Sequence, residues 1–350
     1  MIHDSLYFIA AVLALNHSID LFIYFVLKTL IFFDFIYLRF LSLFAKFSLI
    51  SSFKRFLSQN MAIYYLLKII SLFPLSFLQY IARGIAHLLY YSDSSIKRIT
   101  TINLQLAYPE LDPITLQKRV HLSIQSQCQT YIEFFKCWGM PPQYNLDLLK
   151  NIHGESVLTE ALANKKGVIV VIPHFGCWEL LNAWLNVYTQ PMIMYKPYKI
   201  KGINRYILAA RQKFNATLVP TDETGIRSIF RHLKQGGLTV ILPDHLPKPS
   251  GGIYSHFFNQ NTLSATLVSK MAAKTQCNVI GLTCIRNADA AGFDVYCTEL
   301  SQDILSTDIQ LSVDSLNLAM QDMINQAPEQ YIWSYKRFRN CYGNINPYKK

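Results

Sequence analysis

The types and spacing of His174 and Glu179 suggest acid–base chemistry. Both residues belong to the stretch HFGCWE, which directly follows the apolar run GVIVVI over residues 167–172. On one continuous helix, a separation of five residues would place them about 140° apart. With His174 in a loop and Glu179 in the first turn of a helix, the carboxylate could bond one imidazole nitrogen and raise the basicity of the other. Such a pair predicts a base that removes a proton from a hydroxyl group. On spacing alone, an ordinary loop histidine beside a glutamate that the helix dipole favours is the alternative.

Short apolar runs alternate with amphipathic segments from residue 155 onward, and they predict the scaffold that holds this pair. The candidate strands are GVIVVI (167–172), MIMY (192–195), TLVP (217–220), LTVIL (238–242), NVIGLTCIR (278–286) and FDVYCTEL (293–300). Helical patterns separate the first four strands, and NADAAG is expected to join the last two in a hairpin. We therefore expect an α/β fold whose mostly parallel mixed sheet is flanked by helices, with His174 at the carboxyl end of a strand.

The composition of the 350-residue chain points towards a membrane and an anionic partner. Hydrophobic residues make up 51% of the chain, charged residues 16%, and the net charge is +11, which suits lipid headgroups or an acidic carrier protein. Nucleic acid is disfavoured because the basic residues are scattered and no binding fingerprint occurs. The seven cysteines are far apart and lack a CxxC pair, which indicates reduced thiols in a cytoplasmic compartment and argues against zinc. No metal and no cofactor are expected.

The N-terminal hundred residues are expected to be membrane-associated. Residues 1–60 are apolar but interrupted by charges, so we interpret them as a hydrophobic N-terminal extension that need not be part of the native core. Residues 61–100 contain the run MAIYYLLKIISLFPLSFLQYIARGIAHLLYY and are expected to form membrane-associating helices. A buried amphipathic helix pair is the alternative. Residues 101–345 are expected to form the catalytic domain, which begins with a helical segment over 101–139 capped by Asp112.

An ordered set of motifs extends from about Met61 to Phe338. The motifs are NLQLAYPEL (103–111), HFGCWE (174–179), YKP (195–197) followed by Asn204 and Arg211, GIRSIFRHLKQGG (225–237), ILPDH (241–245), HFF with Ser264, and QYIWSYKRF (330–338). In this order they resemble the late (secondary) acyltransferases of lipid A biosynthesis, the bacterial lauroyl/myristoyl transferase family. HFGCWE also matches the H-x4-D/E signature of the wider lysophospholipid/glycerolipid acyltransferase superfamily.

This resemblance implies transfer of a fatty acyl group from acyl carrier protein to a hydroxyl of a lipid A precursor, which forms an acyloxyacyl ester. The implied location is the bacterial inner membrane, with the acyltransferase domain on its cytoplasmic face. His174 would be the general base and Glu179 the carboxylate that orients it. Backbone N–H groups after Phe175, or a basic side chain, are the candidate donors to the oxyanion. The expected substrate-binding residues are Lys196, Asn204, Arg211, Asp244 and His245.

Two of these positions depart from the family pattern. Lys196 stands where arginine is common, and it keeps the positive charge without the bidentate fork of a guanidinium. His245 stands where glutamine is common, and it brings a titratable ring in place of an amide. Cys177 lies inside the motif but is not expected to act as a nucleophile, and the C-terminal cations, including Arg337, could face anionic lipid.

Two other functions are compatible with the same motifs. An acyltransferase of this superfamily could act on a lysophospholipid, a glycolipid or an aminolipid, because H-F-G-x-W-E does not distinguish these acceptors. A non-catalytic lipid-binding module is the other alternative. The intact pair of His174 and Glu179 argues against the module, since a binding protein has no need of a general base.

Overall fold

The computed structural model describes residues 61–289 and 291–349, so the extension expected over residues 1–60 lies outside the described residues. The helices are α1 (Met61–Leu72), α2 (Leu75–Tyr91), α3 (Ser95–Ala107), α4 (Pro113–Gly139), α5 (Pro142–Asp147), α6 (Glu155–Ala163), α7 (Leu181–Tyr188), α8 (Lys201–Lys213), α9 (Glu223–Lys234), α10 (Leu267–Thr275) and α11 (Ile309–Asn325). The strands are β1 (Leu149–His153), β2 (Val168–Val171), β3 (Met192–Tyr195), β4 (Thr217–Pro220), β5 (Leu238–Ile241), β6 (Gly252–Phe257), β7 (Gln260–Ala265), β8 (Asn278–Arg286) and β9 (Phe293–Glu299).

Seven of these strands form one mixed sheet in the order β1-β9-β8-β2-β5-β3-β4. The five strands from β8 to β4 are parallel, whereas β9 is antiparallel to β8 and β1 is parallel to β9. All four residues of β2 are completely buried, as expected for a central strand covered on both faces by helices. The expected α/β fold with a mostly parallel, helix-flanked sheet is confirmed.

All six strands expected from apolar runs occur within one or two residues of their expected bounds. The sequence patterns missed β1, β6 and β7. The segment LKNIH of β1 is a half-exposed edge strand with a polar composition. Strands β6 and β7 pair only with each other, in an antiparallel hairpin that packs against α11. Because these three strands are not buried on both sides by apolar neighbours, they lack the continuous hydrophobic run that marks the others.

The helical segment expected over 101–139 is divided between α3 and α4 by a turn that contains Pro109. Asp112 caps α4 as expected, because its carboxylate accepts hydrogen bonds from the backbone N–H groups of Ile114 and Thr115 at 2.9 and 3.1 Å. Pro113 occupies the first position of the helix, where a missing N–H costs nothing. Helix α4 then runs for 27 residues across the molecule and contacts α1, α2, α3 and α8.

A buried ion pair connects α4 to the sheet. Arg286, at the end of β8, binds both carboxylate oxygens of Glu133 on α4, at 2.5 and 2.6 Å. Arg286 also donates to Ser126 and Thr130, and Gln79 of α2 donates to Glu133 at 2.8 Å. Burial would lower the pKa of Arg286, but the Glu133 charge and hydrogen bonds raise it above its usual value. This network fixes α2 and α4 on the sheet. Moving α4 away from β8 would leave a buried charge without its partner, which is strongly destabilising.

Helices α1 and α2 have one buried face and one exposed apolar face. Their buried residues pack against α4 and α8. The exposed apolar face consists of Tyr65, Ile69, Leu72, Phe73, Phe77, Tyr80, Ile81, Leu88 and Tyr91. Within the described residues, no single helix is long and apolar enough to cross a membrane. Taken together, α1 and α2 have the required length and composition, but they are bent by 115° relative to each other.

Candidate active site

The carboxyl ends of three adjacent parallel strands bring the expected site residues together. His174 follows β2, Asp244 and His245 follow β5, and Lys196 follows β3. In the sheet, β5 lies between β2 and β3 and is parallel to both, so all three strands end at the same edge. A ligand site is expected at this edge of an open α/β sheet. Lys196 and Asp244, which are 22 and 70 positions from His174 in the chain, thus lie at the same edge of the sheet as His174.

A cavity of about 300 Å³ opens at this edge. Its wall includes His174, Glu179, Arg211, Lys196 and His245. The rest of the lining is mostly apolar and aromatic, and it includes Tyr131, Phe134, Trp138, Ile172, Trp178, Leu181, Leu185, Ile193, Val240, Leu242 and Ile332. A mainly apolar wall with a few convergent polar groups is the usual form of a small-molecule site, and this volume is at the low end of its range. We refer to it below as the active-site cavity.

Asp244, and not Glu179, is the carboxylate that holds His174. Oδ1 of Asp244 lies 2.8 Å from Nδ1 of His174, and Oδ2 accepts a hydrogen bond from the His174 backbone N–H at 3.1 Å. The hydroxyl of Tyr331 donates to Oδ2 at 3.0 Å. Asp244 has no solvent-exposed surface, so the expectation that it binds substrate is wrong. The expectation that Glu179 orients His174 is also wrong, because the partner comes from the neighbouring strand rather than from the same loop.

The electrostatics of this pair fix the tautomer of His174. Burial alone would raise the pKa of Asp244, but the His174 charge and its hydrogen bonds lower it below the usual value. Burial and the nearby Asp244 raise the pKa of Tyr331 far above its usual value, so Tyr331 remains a donor. An ionised carboxylate can only accept, and Nδ1 of His174 therefore carries the proton. The lone pair of Nε2 is left free to accept a proton in the active-site cavity.

Glu179 instead holds Arg211 at the wall of the cavity. Glu179 lies in a one-turn 3-10 helix, as expected for the start of a helix after the loop. Its Oε1 accepts a hydrogen bond from Nη2 of Arg211 at 2.7 Å, and its Oε2 accepts one from the indole N–H of Trp138 at 2.8 Å. These partners point Glu179 away from Nδ1 of His174. Besides the His174–Asp244 pair, the cavity wall thus has a second pair of polar residues, in which the carboxylate of Glu179 positions the guanidinium of Arg211.

Gly176 lets the chain turn between His174 and Glu179. Its φ of +59° lies in the left-handed region that favours glycine, and a Cβ there would lie 2.0 Å from the carbonyl oxygen of Cys284. The backbone N–H groups of Phe175, Gly176 and Cys177 donate to the carbonyls of Pro173, Gln330 and Cys284, respectively. These three N–H groups are already paired, so they are not available to bind an oxyanion. For the N–H groups of Trp178 and Glu179, at the start of the helix itself, the expected role stays a prediction.

The remaining expected substrate-binding residues differ in their positions. Lys196 is exposed at the rim of the active-site cavity. Asn204 is not part of the lining; its side-chain oxygen accepts hydrogen bonds from the Tyr195 hydroxyl at 2.6 Å and the Tyr198 backbone N–H at 2.8 Å. Asn204 therefore shapes the loop after β3 and does not face the cavity. Arg337 does not face lipid, since it is buried and donates to the Leu263 carbonyl at 2.8 Å.

His245 lies flat against the imidazole of His174. The two ring centroids are 3.7 Å apart and the rings are parallel to within 1°, and Tyr335 stacks on His245 with a centroid distance of 3.9 Å. Ligand atoms of His174, Asp244 and His245 lie within 4.8 Å of one another. The nitrogen lone pairs of an imidazole lie in the plane of its ring, so those of two parallel rings lie in separate planes that do not meet, whereas the ligands of a metal must converge on one point. This trio consequently has the geometry of a stacked acid–base pair rather than of a metal site.

Cys177 is placed where it cannot act as a nucleophile. It is completely buried, and burial, together with the neighbouring Cys137, raises the pKa of its thiol far above the usual value. It does not line the active-site cavity. The described cysteines are all buried and unpaired, as expected for reduced thiols. Cys177 thus fills space behind the loop that carries His174.

Two tyrosines at the site, Tyr331 and Tyr335, were not expected from the sequence. Both belong to the motif QYIWSYKRF, which carried the family resemblance without suggesting a role. The amide of Asn103, in the motif NLQLAYPEL, donates to the carbonyls of Trp333 and Tyr335 at 2.5 and 2.7 Å. These contacts hold the C-terminal segment against the site. The two distant motifs are therefore parts of one structural unit.

Comparison with known proteins identifies the family to which the chain belongs. The family model described as bacterial lipid A biosynthesis acyltransferase matches residues 51–340. The lipid A biosynthesis palmitoleoyltransferase of Escherichia coli (strain K12) is 23% identical over 241 residues, covering 68% of this chain and 76% of the relative. The lauroyltransferase of that organism is 21% identical over 243 residues, covering 69% and 78%. Its myristoyltransferase is 20% identical over 258 residues, covering 73% and 79%. The chain therefore belongs to the bacterial lipid A biosynthesis acyltransferase family, and it is an enzyme that transfers acyl groups.

Proposed function

We propose that this enzyme transfers a fatty acyl chain from acyl carrier protein to a hydroxyl of a lipid A precursor, with His174 as the general base. The observation that carries the proposal is the His174–Asp244 pair at the wall of an apolar cavity. A hydroxyl becomes a good nucleophile when a positioned base removes its proton during attack. The apolar wall suits an acyl chain, which gains about 0.8 kcal/mol for each methylene removed from water.

The reaction needs one base and no covalent enzyme intermediate. The hydroxyl oxygen of the acceptor attacks the thioester carbon of the donor while Nε2 of His174 takes the hydroxyl proton. The new C–O bond forms, the C–S bond breaks, and the imidazolium returns its proton to the leaving thiolate. Asp244 stabilises the imidazolium because its negative charge lies 2.8 Å from Nδ1. A thiolate is a good leaving group, so no separate acid is required.

Arg211 supports this reaction as the fixed positive charge in the cavity. Glu179 engages Nη2 of its guanidinium, and the other N–H groups of that fork remain to bind an oxygen anion. The candidate anions are the tetrahedral oxyanion and a phosphate of the acceptor. Lys196 at the rim is exposed, and the exposed Lys199 and Lys201 that follow it in the chain add further positive charge. This charge suits an acidic carrier protein as well as an anionic lipid.

A deletion strain tests the acceptor. We expect mass spectrometry of its lipid A to show the loss of one acyloxyacyl chain, and the parent gene to restore that chain. The His174→Ala gene should fail to restore it even when the variant protein accumulates to the parent level. Unchanged lipid A together with altered phospholipids or glycolipids would contradict the proposal and favour another acceptor of the same superfamily.

We propose further that the exposed face of α1 and α2 lies in the cytoplasmic surface of the inner membrane. Nine large apolar or aromatic residues are exposed there, and Leu72 is 75% exposed. Residues 61–92 contain no acidic side chain, and their cations are Lys68 and Arg83. Aromatic, leucine-rich and weakly basic surfaces of this type bind at the boundary between headgroups and acyl chains. Such a position would bring the cavity to its lipid acceptor.

Fluorescence quenching tests this docking surface in the full chain. Single cysteines introduced as Leu72→Cys and Leu88→Cys would be labelled with a fluorophore, since the described native cysteines are buried. We expect lipid-attached quenchers in anionic vesicles to quench both labels strongly. Leu318→Cys, at a leucine of α11 whose exposure of 57% is close to the 60% of Leu88, is the matched control and should remain unquenched. Equal quenching at all three positions, or at none, would contradict the docking surface.

A further inference from the structure

His245 has an unusual position beside the proposed base. Its ring lies parallel to that of His174, with centroids 3.7 Å apart, and its opposite face stacks on Tyr335. Asp244, the residue just before it, binds the edge of the same imidazole at Nδ1. Two consecutive residues at the end of β5 thus hold His174, one by its edge and one by its face. Trp178 contacts His174 from a third side, at 5.1 Å and nearly perpendicular.

The surroundings of His245 keep its ring uncharged. Burial, followed by the charges of His174 and Arg337, lowers its pKa to about 3. Asp244 acts in the opposite direction but is outweighed. Tyr335 covers the remaining face, and burial raises the pKa of its hydroxyl, so it adds no charge. A second cation stacked at 3.7 Å from an imidazolium would be strongly repelled. At most one of the two rings therefore carries a positive charge at any time.

We propose that His245 is a positioning residue for His174, a neutral ring that holds the imidazole in plane and stabilises the imidazolium formed during acyl transfer. The inference rests on the proposed function, because it assigns the stack to the proton-transfer step. A neutral aromatic face attracts a cation placed over it. The attraction exists only after His174 has taken the proton, so it favours the transition state over the resting state. Tyr335, behind His245, keeps the neutral ring from swinging away.

Two substitutions at this position separate a stacking role from simple packing. His245→Leu keeps an apolar side chain of similar volume but removes the flat ring, and we expect kcat to fall about 3- to 10-fold with little change in KM. The acid limb of the pH profile of kcat/KM should move to lower pH by roughly 0.5 to 1 unit, because the imidazolium is less stabilised. His245→Phe restores a neutral ring and should recover most of kcat and the parent profile.

A second readout does not depend on any lipid substrate. Nitrogen-15 spectra of histidine-labelled protein should show His245 as a neutral imidazole down to about pH 5, whereas a charged His245 at pH 6 would overturn the proposal. Equal losses in His245→Leu and His245→Phe, with the acid limb unmoved in both, would also overturn it and leave His245 a packing residue. If His174→Ala keeps its activity, the proposed function fails instead, whatever the two His245 variants do.

Discussion

His174→Ala should lower kcat for acyl transfer by about 10²- to 10⁴-fold, which is the usual contribution of a general base. The variant removes the only atom we assign to accept the hydroxyl proton, Nε2, while the apolar wall that binds the acyl chain remains. KM for the donor should therefore change far less than kcat. The measurement is steady-state acyl transfer by purified protein, with the ester product followed by mass spectrometry.

The matched control for this experiment is His256→Ala. His256 is exposed on β6 and does not line the active-site cavity, so its loss tests for nonspecific effects of removing a histidine. We expect the control to retain the parent kcat within about twofold, as is usual for surface substitutions. If His174→Ala retained a large part of the parent kcat while remaining folded, the assignment of the base would be wrong.

Asp244→Asn should reduce kcat by a similar factor, about 10³- to 10⁴-fold, because it reverses the tautomer of His174. The asparagine amide can donate to Nδ1, which then gives up its proton and leaves the hydrogen on Nε2. An Nε2 that already carries hydrogen cannot accept the hydroxyl proton, as in serine hydrolases whose buried aspartate is replaced by asparagine. Nitrogen-15 spectra at pH 8 report the tautomer directly, and we expect them to show the proton on Nδ1 in the parent and on Nε2 in the variant.

Glu179→Gln is the discriminating companion to Asp244→Asn. The carboxylate of Glu179 binds Arg211 and Trp138, so its replacement should disturb the cation of the cavity. We expect the His174 tautomer to remain that of the parent even if kcat falls. A tautomer that reversed in Glu179→Gln and stayed unchanged in Asp244→Asn would support the pairing expected from the H-x4-E motif and contradict the geometry described above.

The sequence alone was sufficient for the fold class and for the region of the site. Central parallel strands are buried on both faces, so β2, β5 and β8 required continuous apolar runs that are visible in the sequence. A histidine and a carboxylate directly after such a run indicate the carboxyl edge of a sheet. Capping by Asp112 was also predictable, because a cap is formed by residues three positions apart or fewer.

Only the tertiary structure decided which groups are partners. Glu179 is five residues from His174 in the chain, but the loop around Gly176 directs it to Arg211 and Trp138. Asp244 is 70 residues away, yet it follows the strand beside β2, and strand order is not encoded in local spacing. The stack of His245 on His174 has the same origin. The sequence determined which side chains reach this edge, because periodicity and turns are local, whereas the pairing across the edge depends on how strands separated in the chain lie side by side.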